Sequence, residues 1–306
     1  MEEYSPILSL CIPTNGIVEW VVPLIESIYV QNVDNALFEV VITDNGDSEK
    51  LSQILSKYEY PNLYYYHTTS KGFTNQINAF EKCNGLFCKM LNHRSRLLPG
   101  SIDKMISIIR KYKDDMPILY FAEGHANGGN FISCDSVDDF VCKLSFWVSW
   151  SAGTGAWKKD LKDISGKSIN VMFPHMVFLF GLRKESKYVI WNESYEEMAN
   201  DTGKGGYDLF KTFGVTLLDV LNELRISERI SANTFISVKK ELFKFLIKLY
   251  LNEVLLPTKH TFILQNIQES VSVYFGNFYY WEMRVVSWLL MPLAGAKRWM
   301  MKLSGS

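Results

Sequence analysis

Residues 7–15, Ile-Leu-Ser-Leu-Cys-Ile-Pro-Thr-Asn, and residues 38–48, Phe-Glu-Val-Val-Ile-Thr-Asp-Asn-Gly-Asp-Ser, decide the reading of the fold. Each is a short apolar or β-branched run that stops at turn-forming residues, the pattern of a strand buried on both faces. The first is expected over 7–12, stopping at Pro13, which has no N–H for a ladder. The second is expected over 38–43 and ends at Asp44-Asn45-Gly46. Between them, Val21, Val22, Ile25, Ile28 and Tyr29 fall at helical spacing within 19–30.

The alternation continues outward. Asp47 and Ser48 are suited to cap a helix reaching Tyr58. A strand is expected at 62–67, a helix at 74–83, a strand at 86–91, a helix at 101–113 and a strand at 117–122. Strands alternating with helices at this spacing predict a mainly parallel sheet wound with helices. Ligands of such sheets sit beyond the carboxyl ends of the strands, so the segments after Ile12, Thr43 and Leu91 are the candidate site. Residues 123–215 are less regular and rich in Gly, Trp and Phe, and from about 231 the chain reads helical.

Composition narrows the function. Lys+Arg total 32 and Asp+Glu 33 among 306 residues, a net charge of -1, which argues against a nucleic-acid binder. The charge is unevenly placed. From Arg225 onward there are eleven Lys/Arg against five Glu, or +6, leaving -7 in 1–224. A basic segment of this kind suits an anionic partner. Five cysteines without a CxxC pair suit a reducing compartment rather than a disulfide framework or a zinc site. No leader is expected, because residues 1–6 carry two Glu and no basic stretch. No uncharged apolar run reaches about 18 residues, so no membrane-spanning helix is expected.

Four pieces, in order, resemble the nucleotide-binding half of the family 2 glycosyltransferases, which have the GT-A (Rossmann-like) fold. They are Leu8-Ser-Leu-Cys-Ile-Pro-Thr-Asn15; Val40-Val-Ile-Thr-Asp-Asn-Gly-Asp-Ser48; Lys71-Gly72 with Asn78 and Gly85; and 91–100, where the family carries Leu-Asp-x-Asp-Asp and a Pro-Gly turn. The resemblance implies an α/β GT-A domain over 1–224. Its nucleotide-binding half would be 1–100 and its acceptor half 120–215, followed by a basic, aromatic helical extension over 225–306. It implies an inverting glycosyltransferase that takes a nucleotide-sugar donor and a glycan or lipid-linked glycan acceptor, resembling bacterial surface-polysaccharide enzymes. Asp44 would accept hydrogen bonds from the base or ribose, bordered by Pro13, Thr14 and Asn15; a turn-capping role for Asp44 stays open.

The chain departs from the family at the metal motif. Asn92-His93-Arg94 stands where Asp-x-Asp would hold a divalent cation. An amide and a guanidinium are poor hosts for a hard dication, whereas Arg94 can grip a diphosphate directly. Metal-independent transfer is therefore expected, with no cofactor and with Arg94 and Lys71 carrying the positive charge. A softer metal on His93 and other residues, an Arg94 in a plain ion pair, and a domain without activity serving as scaffold or glycan-binding subunit stay open. A nucleotidyltransferase is disfavoured, since Pro13-Thr14-Asn15-Gly16 does not look like its Gly-rich phosphate loop.

On the acceptor side, Trp150 and Ser151 open the glycine-rich stretch 150–157, which lacks a full GxGxxG and so does not suggest NAD. His175, in Phe173-Pro174-His175, falls roughly where inverting members of the family place the general base, and imidazole suits that work. A hydrogen-bonded core histidine is the alternative, with Asp201 and Glu123 as further carboxylates. Gly203-Lys204-Gly205-Gly206 reads as a glycine-rich loop whose Lys204 could meet phosphate, or as a tight surface turn. Within 281–306, Arg284, Lys297, Arg298 and Lys302 punctuate Trp281, Trp288 and Trp299, the composition of an in-plane interfacial helix on an anionic membrane. Docking on the chain's own domain or in a homo-oligomer is the alternative. The expected location is cytoplasmic, peripheral on the inner face of the cell membrane.

Overall fold

The computed structural model describes residues 6–183, 186–198, 203–257 and 259–304, with side chains only up to Ala296 in the last helix. Asp201, one of the candidate carboxylates, lies outside the described residues, as do the side chains of Lys297, Arg298, Trp299 and Lys302. The chain forms two compact units, Met1–Asn200 and Asp201–Ser306. The change of organisation expected at 225 falls inside the helix Leu217–Ile226.

Unit one follows the alternation read from the sequence as far as β6, with β5 and the elements after β6 not foreseen: β1 (Leu8–Thr14), α1 (Val18–Tyr29), β2 (Phe38–Asp44), α2 (Lys50–Leu55), β3 (Leu63–His67), α3 (Asn75–Glu81), β4 (Phe87–Met90), β5 (Ser95–Leu97), α4 (Ser101–Tyr112), β6 (Ile118–Phe121), β7 (Phe131–Cys134), α5 (Val137–Leu144), β8 (Gly155–Trp157), β9 (Tyr188–Trp191) and β10 (Glu196–Met198). The main sheet has the order β3-β2-β1-β4-β8. Its first four strands are parallel and β8 is antiparallel to β4.

Side chains alternate across β1 and sort into two cores. Leu8, Leu10 and Ile12 face α1 and α4, whose Val21, Leu24, Ile25, Ile28, Ile102, Met105 and Ile109 are buried with them. Cys11 faces the other way, with Ile77, Ala79 and Phe80 of α3 and with Val177 and Phe178. Each such side chain contributes roughly 1.5–3 kcal/mol of transfer free energy when fully buried.

β1 does not stop at Pro13. It continues in register with β2 through Pro13↔Thr43 and Thr14↔Asp44. In a strand the N–H and C=O of one residue point to the same neighbour. The odd-numbered residues of β1 face β4, as the Phe87 N to Ile7 O and Leu91 N to Cys11 O bonds show. β4 pairs only as far as Cys11↔Met90, so the missing N–H of Pro13 falls where no partner strand remains.

The region read as irregular supplies two strands that join β6 in a second sheet, β6-β9-β7, with β6 and β9 parallel. An antiparallel bridge, Tyr120↔Thr154, ties it to the start of β8. Because β8 is also antiparallel to β4, β6 runs the same way as β4. The carboxyl ends of β1, β2, β4, β6 and β9 therefore open on one side.

Unit two contains β11 (Lys204–Asp208), α6 (Leu209–Lys211), α7 (Leu217–Ile226), α8 (Ala232–Leu249), β12 (His260–Ile263), α9 (Ile267–Phe275) and α10 (Asn277–Ser304). Its core joins Leu209, Phe210, Phe243, Leu246, Val271 and Met283. The glycine-rich stretch around Lys204 is a strand rather than a loop, paired in parallel with β12. Gly205 is needed there, since a Cβ would lie 2.3 Å from the Phe262 nitrogen. Among the described residues, no helix is long and apolar enough to cross a membrane.

Candidate active site at the carboxyl edge of the sheet

The three segments singled out after β1, β2 and β4 meet. Asn45 N donates to Thr14 O at 3.0 Å, and the Thr14 hydroxyl pairs with His93 Nδ1 at 2.8 Å. Asn75, at the start of α3, donates its amide to the carbonyls of Thr43 (2.7 Å) and Thr14 (3.2 Å). Asn45 reaches the carbonyls of Ser70 (2.8 Å) and Gly72 (3.1 Å), which fixes the exposed Lys71 beside the β2 turn. Asn78 donates to Ser70 Oγ at 2.5 Å. The resemblance's Gly85 is dictated by sterics: a Cβ would sit 2.7 Å from Ser9 Oγ and 2.8 Å from Ser9 N.

Asp44 is fully enclosed. Its Oδ1 accepts from Gly46 N at 2.8 Å, an Asx-type turn, and its Oδ2 accepts from the Tyr65 hydroxyl at 2.9 Å. Burial and the adjacent Asp44 carboxylate push the Tyr65 hydroxyl up to about 12. The turn-capping role is thus present. Each oxygen accepts one of these bonds and keeps a second lone pair. Gly16 lies over it so closely that a Cβ would come within 3.0 Å of Oδ2. Asn15 is exposed beside it and Pro13 is half-buried.

At the β4 end, Asn92 Oδ1 accepts from Arg94 N at 3.0 Å, and Asn92 O accepts from Ser95 N and Ser95 Oγ. The Arg94 guanidinium carbon lies 3.6 Å from the centroid of the Trp20 ring. His93 packs edge-on against the same indole at 5.0 Å. Burial, and secondarily the Arg94 charge, push His93 down to about 3, so it stays neutral. The expected cation position thus offers one engaged amide oxygen, a neutral imidazole and a guanidinium. That donor set does not fit a hard dication, which wants several oxygen ligands and no positive neighbour. Among the described residues, no group of three or more His, Cys, Asp or Glu side chains could hold a metal ion.

Behind this turn lies a polar cluster that the sequence reading passed over. Lys89 of β4 is fully buried and donates to the carbonyls of Met90 and Ala152 and to the Tyr195 hydroxyl. Desolvation lowers it to about 8, against the opposing pull of Glu196 and Glu123. Glu196 Oε2 accepts from Ser95 Oγ at 2.7 Å. Burial raises the Glu196 carboxyl, with Lys89 drawing it back. A lysine within the otherwise apolar Phe87–Met90 strand was the signal available for Lys89; nothing local marked Glu196, Trp20 or Tyr65.

On the acceptor side, Trp147 stacks on His125 at 3.6 Å and 3°. The Tyr120 hydroxyl donates to the carbonyls of Trp147 (2.6 Å) and Trp150 (2.9 Å). Trp150 and Ser151 are half-buried, and the Trp150 indole N–H is buried with no hydrogen-bond partner among the described residues. His175 is enclosed at 1% exposure. Its Nε2 pairs with Val148 O at 3.1 Å, while Nδ1 has no hydrogen-bond partner among the described residues. Burial lowers it to about 4, so it is a neutral imidazole whose Nε2–H donates to Val148. The core-histidine alternative describes its surroundings. Lys204 belongs to unit two and stands half-buried in β11.

The model of the family described as "Glycosyl transferase family 2" matches residues 9–132. Among solved structures, S. aureus TarS 1–349 in complex with UDP-GlcNAc is 12% identical, with a TM-score of 0.57 over 80% of this chain and 72% of that one. S. aureus TarS 1–349 in complex with UDP is 12% identical, with a TM-score of 0.54 over 81% of this chain and 72% of that one. For the longer S. aureus TarS chain the values are 12%, 0.53, 80% and 43%. Comparison with curated protein sequences gives no match. Residues 9–132 are thus similar to the family 2 glycosyltransferase model, and the α/β architecture of the chain is the fold of those solved structures.

Proposed function

We propose that the chain is a metal-independent, inverting glycosyltransferase that moves a sugar from a nucleoside-diphosphate donor to a glycan acceptor in surface-polysaccharide synthesis. The observation behind this is Arg94, held over Trp20 at the carboxyl end of β4, where the family's carboxylates would hold a cation. A guanidinium there supplies paired N–H donors and a permanent positive charge to the departing diphosphate. Thr14, Asn15, Asp44 and Lys71 border the same edge and form the base, ribose and phosphate side. The UDP-GlcNAc and UDP complexes of TarS make uridine nucleotides the first donors to try. The test is release of nucleoside diphosphate from UDP-GlcNAc and a panel of other nucleotide sugars in excess EDTA. Turnover that persists in EDTA and is lost in Arg94→Ala supports the reading. Turnover that EDTA abolishes and Mg²⁺ or Mn²⁺ restores removes metal independence. A chain that binds no nucleotide sugar is a scaffold.

The acceptor is proposed to be lipid-linked, with unit two resting on an anionic membrane. Phe278, Trp281, Val285, Trp288, Leu289 and Leu293 of α10 are exposed and lie on one side of the helix. Met283 and Ser287 on the opposite side are fully buried, with Ser287 Oγ bonded to Ile247 O. An exposed Trp- and Leu-rich face, followed in sequence by Lys297, Arg298 and Lys302, suits insertion at the headgroup boundary.

A further inference from the structure

Glu123 stands two residues past the end of β6, on the side where the carboxyl ends of β1, β2 and β4 open. Its backbone is held at φ +52°, a left-handed conformation that a glutamate adopts only when its surroundings impose it. The surroundings are identifiable. Ala122 N donates to Trp191 O at 2.7 Å, His125 N to Ala122 O at 2.8 Å, and the Asn192 side chain brackets Ala126 from both sides. One carboxylate oxygen, Oε1, accepts from Tyr195 N at 2.9 Å and Glu196 N at 3.3 Å. Glu123 is half-buried, and Oε2 makes no hydrogen bond among the described residues. One oxygen is therefore clamped while the other is left available.

Two connections join this carboxylate to the donor edge. Glu196, whose N–H holds Oε1, accepts from Ser95 Oγ, and Ser95 directly follows Arg94. Strand β10 pairs with β5 through Met198↔Ser95 and Glu196↔Leu97, so Glu123 and the Asn92–Arg94 turn are anchored to the same short ladder. Two residues on from Glu123, the exposed His125 stacks on the half-buried Trp147, an aromatic surface of the kind that packs against the apolar face of a sugar ring.

We propose that Glu123, rather than the enclosed His175, is the catalytic base that receives the acceptor proton, with the His125–Trp147 stack seating the acceptor sugar. This rests on the glycosyltransferase reading above. In the step, the acceptor hydroxyl oxygen forms a bond to the anomeric carbon of the donor. The bond from that carbon to the diphosphate oxygen breaks, and its electron pair leaves with the nucleoside diphosphate beside Arg94. The hydroxyl proton passes to Glu123 Oε2. Desolvation raises Glu123 to about 7, with the nearby Glu196 charge adding to it and Lys89 and the two backbone N–H groups opposing it. Lys89, Glu196, Tyr195 and, on its own loop, His125 are the titratable groups around it, and a base tuned near neutrality is the efficient one.

The test is Glu123→Gln, which keeps an oxygen for the Tyr195 and Glu196 amides and removes only the basicity. The readouts are UDP-GlcNAc affinity and release of UDP by transfer to water, repeated with other nucleotide sugars if UDP-GlcNAc does not bind. The expected result is donor affinity within about twofold of wild type and a turnover loss of about 10²–10⁴-fold. The wild-type rate should rise with pH through about 7, and the variant should lose that limb. Turnover of Glu123→Gln within about threefold of wild type, with its pH limb intact, overturns the proposal, most directly if His175→Asn abolishes turnover while still binding donor. A wild-type chain that binds no nucleotide sugar overturns the parent reading, and this inference with it.

Discussion

The Arg94 guanidinium sits 3.6 Å over the Trp20 ring, joining the turn after β4 to the first helix of the fold. The contact orients a cation at the strand end where the proposed function puts the departing diphosphate. Arg94→Ala should therefore lower turnover by about 10²–10³-fold, the range for losing one electrostatic donor to a developing charge. Arg94→Lys should recover only part of it, because an ammonium cannot grip two oxygens in one plane. Trp20→Ala should cost less, about fivefold to thirtyfold, matching the roughly 1–2 kcal/mol of a partly desolvated cation–π contact. Steady-state kinetics at fixed donor concentration separate the three.

Asp44 is held from both sides, by Gly46 N and by the Tyr65 hydroxyl. Asp44→Ala should weaken nucleotide binding by about tenfold to a hundredfold, the effect of losing a charged hydrogen-bond acceptor. Tyr65→Phe should change it by less than about fivefold, because the carboxylate and its bond from Gly46 remain. Calorimetric titration with UDP distinguishes a ligand-binding Asp44 from one that only shapes its turn. In the second case folding stability falls in Asp44→Ala and nucleotide affinity does not.

Gly85→Ala should be destabilising by about 1–3 kcal/mol, as for other overpacked sites. The added methyl would meet the Ser9 backbone, fixed in the sheet between β2 and β4, and the Ser9 hydroxyl, which donates to Glu39. A lowered thermal midpoint with unchanged kinetics of the surviving native fraction is the expected outcome.

His175 makes folding acid-sensitive. Its folded value is lowered to about 4 from 6.5 by burial, so below about 6.5 the unfolded chain binds a proton that the folded chain refuses. Stability from this residue is present above 6.5 and drains as pH falls toward 4. Denaturant midpoints of wild type and His175→Asn should diverge less at pH 5 than at pH 7.5, because the wild type alone loses that contribution. Equal differences at both pH values would mean that the imidazole is not enclosed in solution.

Trp288→Asp with Leu289→Asp should release the chain from phosphatidylglycerol vesicles in flotation while leaving it folded, since both side chains point outward from α10. A wild type that ignores vesicles but elutes as a dimer, with the double variant monomeric, would assign the face to a second copy.

Much of unit one was legible because its elements carry local signals. The 21, 25, 28 stripe of α1 buries as read, and β2 and β3 lie within a residue of their expected bounds. The misreadings share one cause. Pro13 can continue β1 only because β4 has already turned away, and Gly205 belongs to a strand only because β12, more than fifty residues on, lies against it. Neither fact exists within a local window.

The same division holds for the site. Residue type and order placed Thr14, Asp44 and Arg94 at strand ends, and the substitution of Asn92 and Arg94 for carboxylates was visible without coordinates. What each can do was set by partners far along the chain. Trp20 orients Arg94, Tyr65 occupies Asp44, and Tyr195 and Glu196 clamp Glu123 from 72 and 73 residues away. Periodicity and turn chemistry are short-range and survive in the linear sequence. Burial, hydrogen-bond partners and the resulting proton affinities come from contacts that form only when the strands are in register.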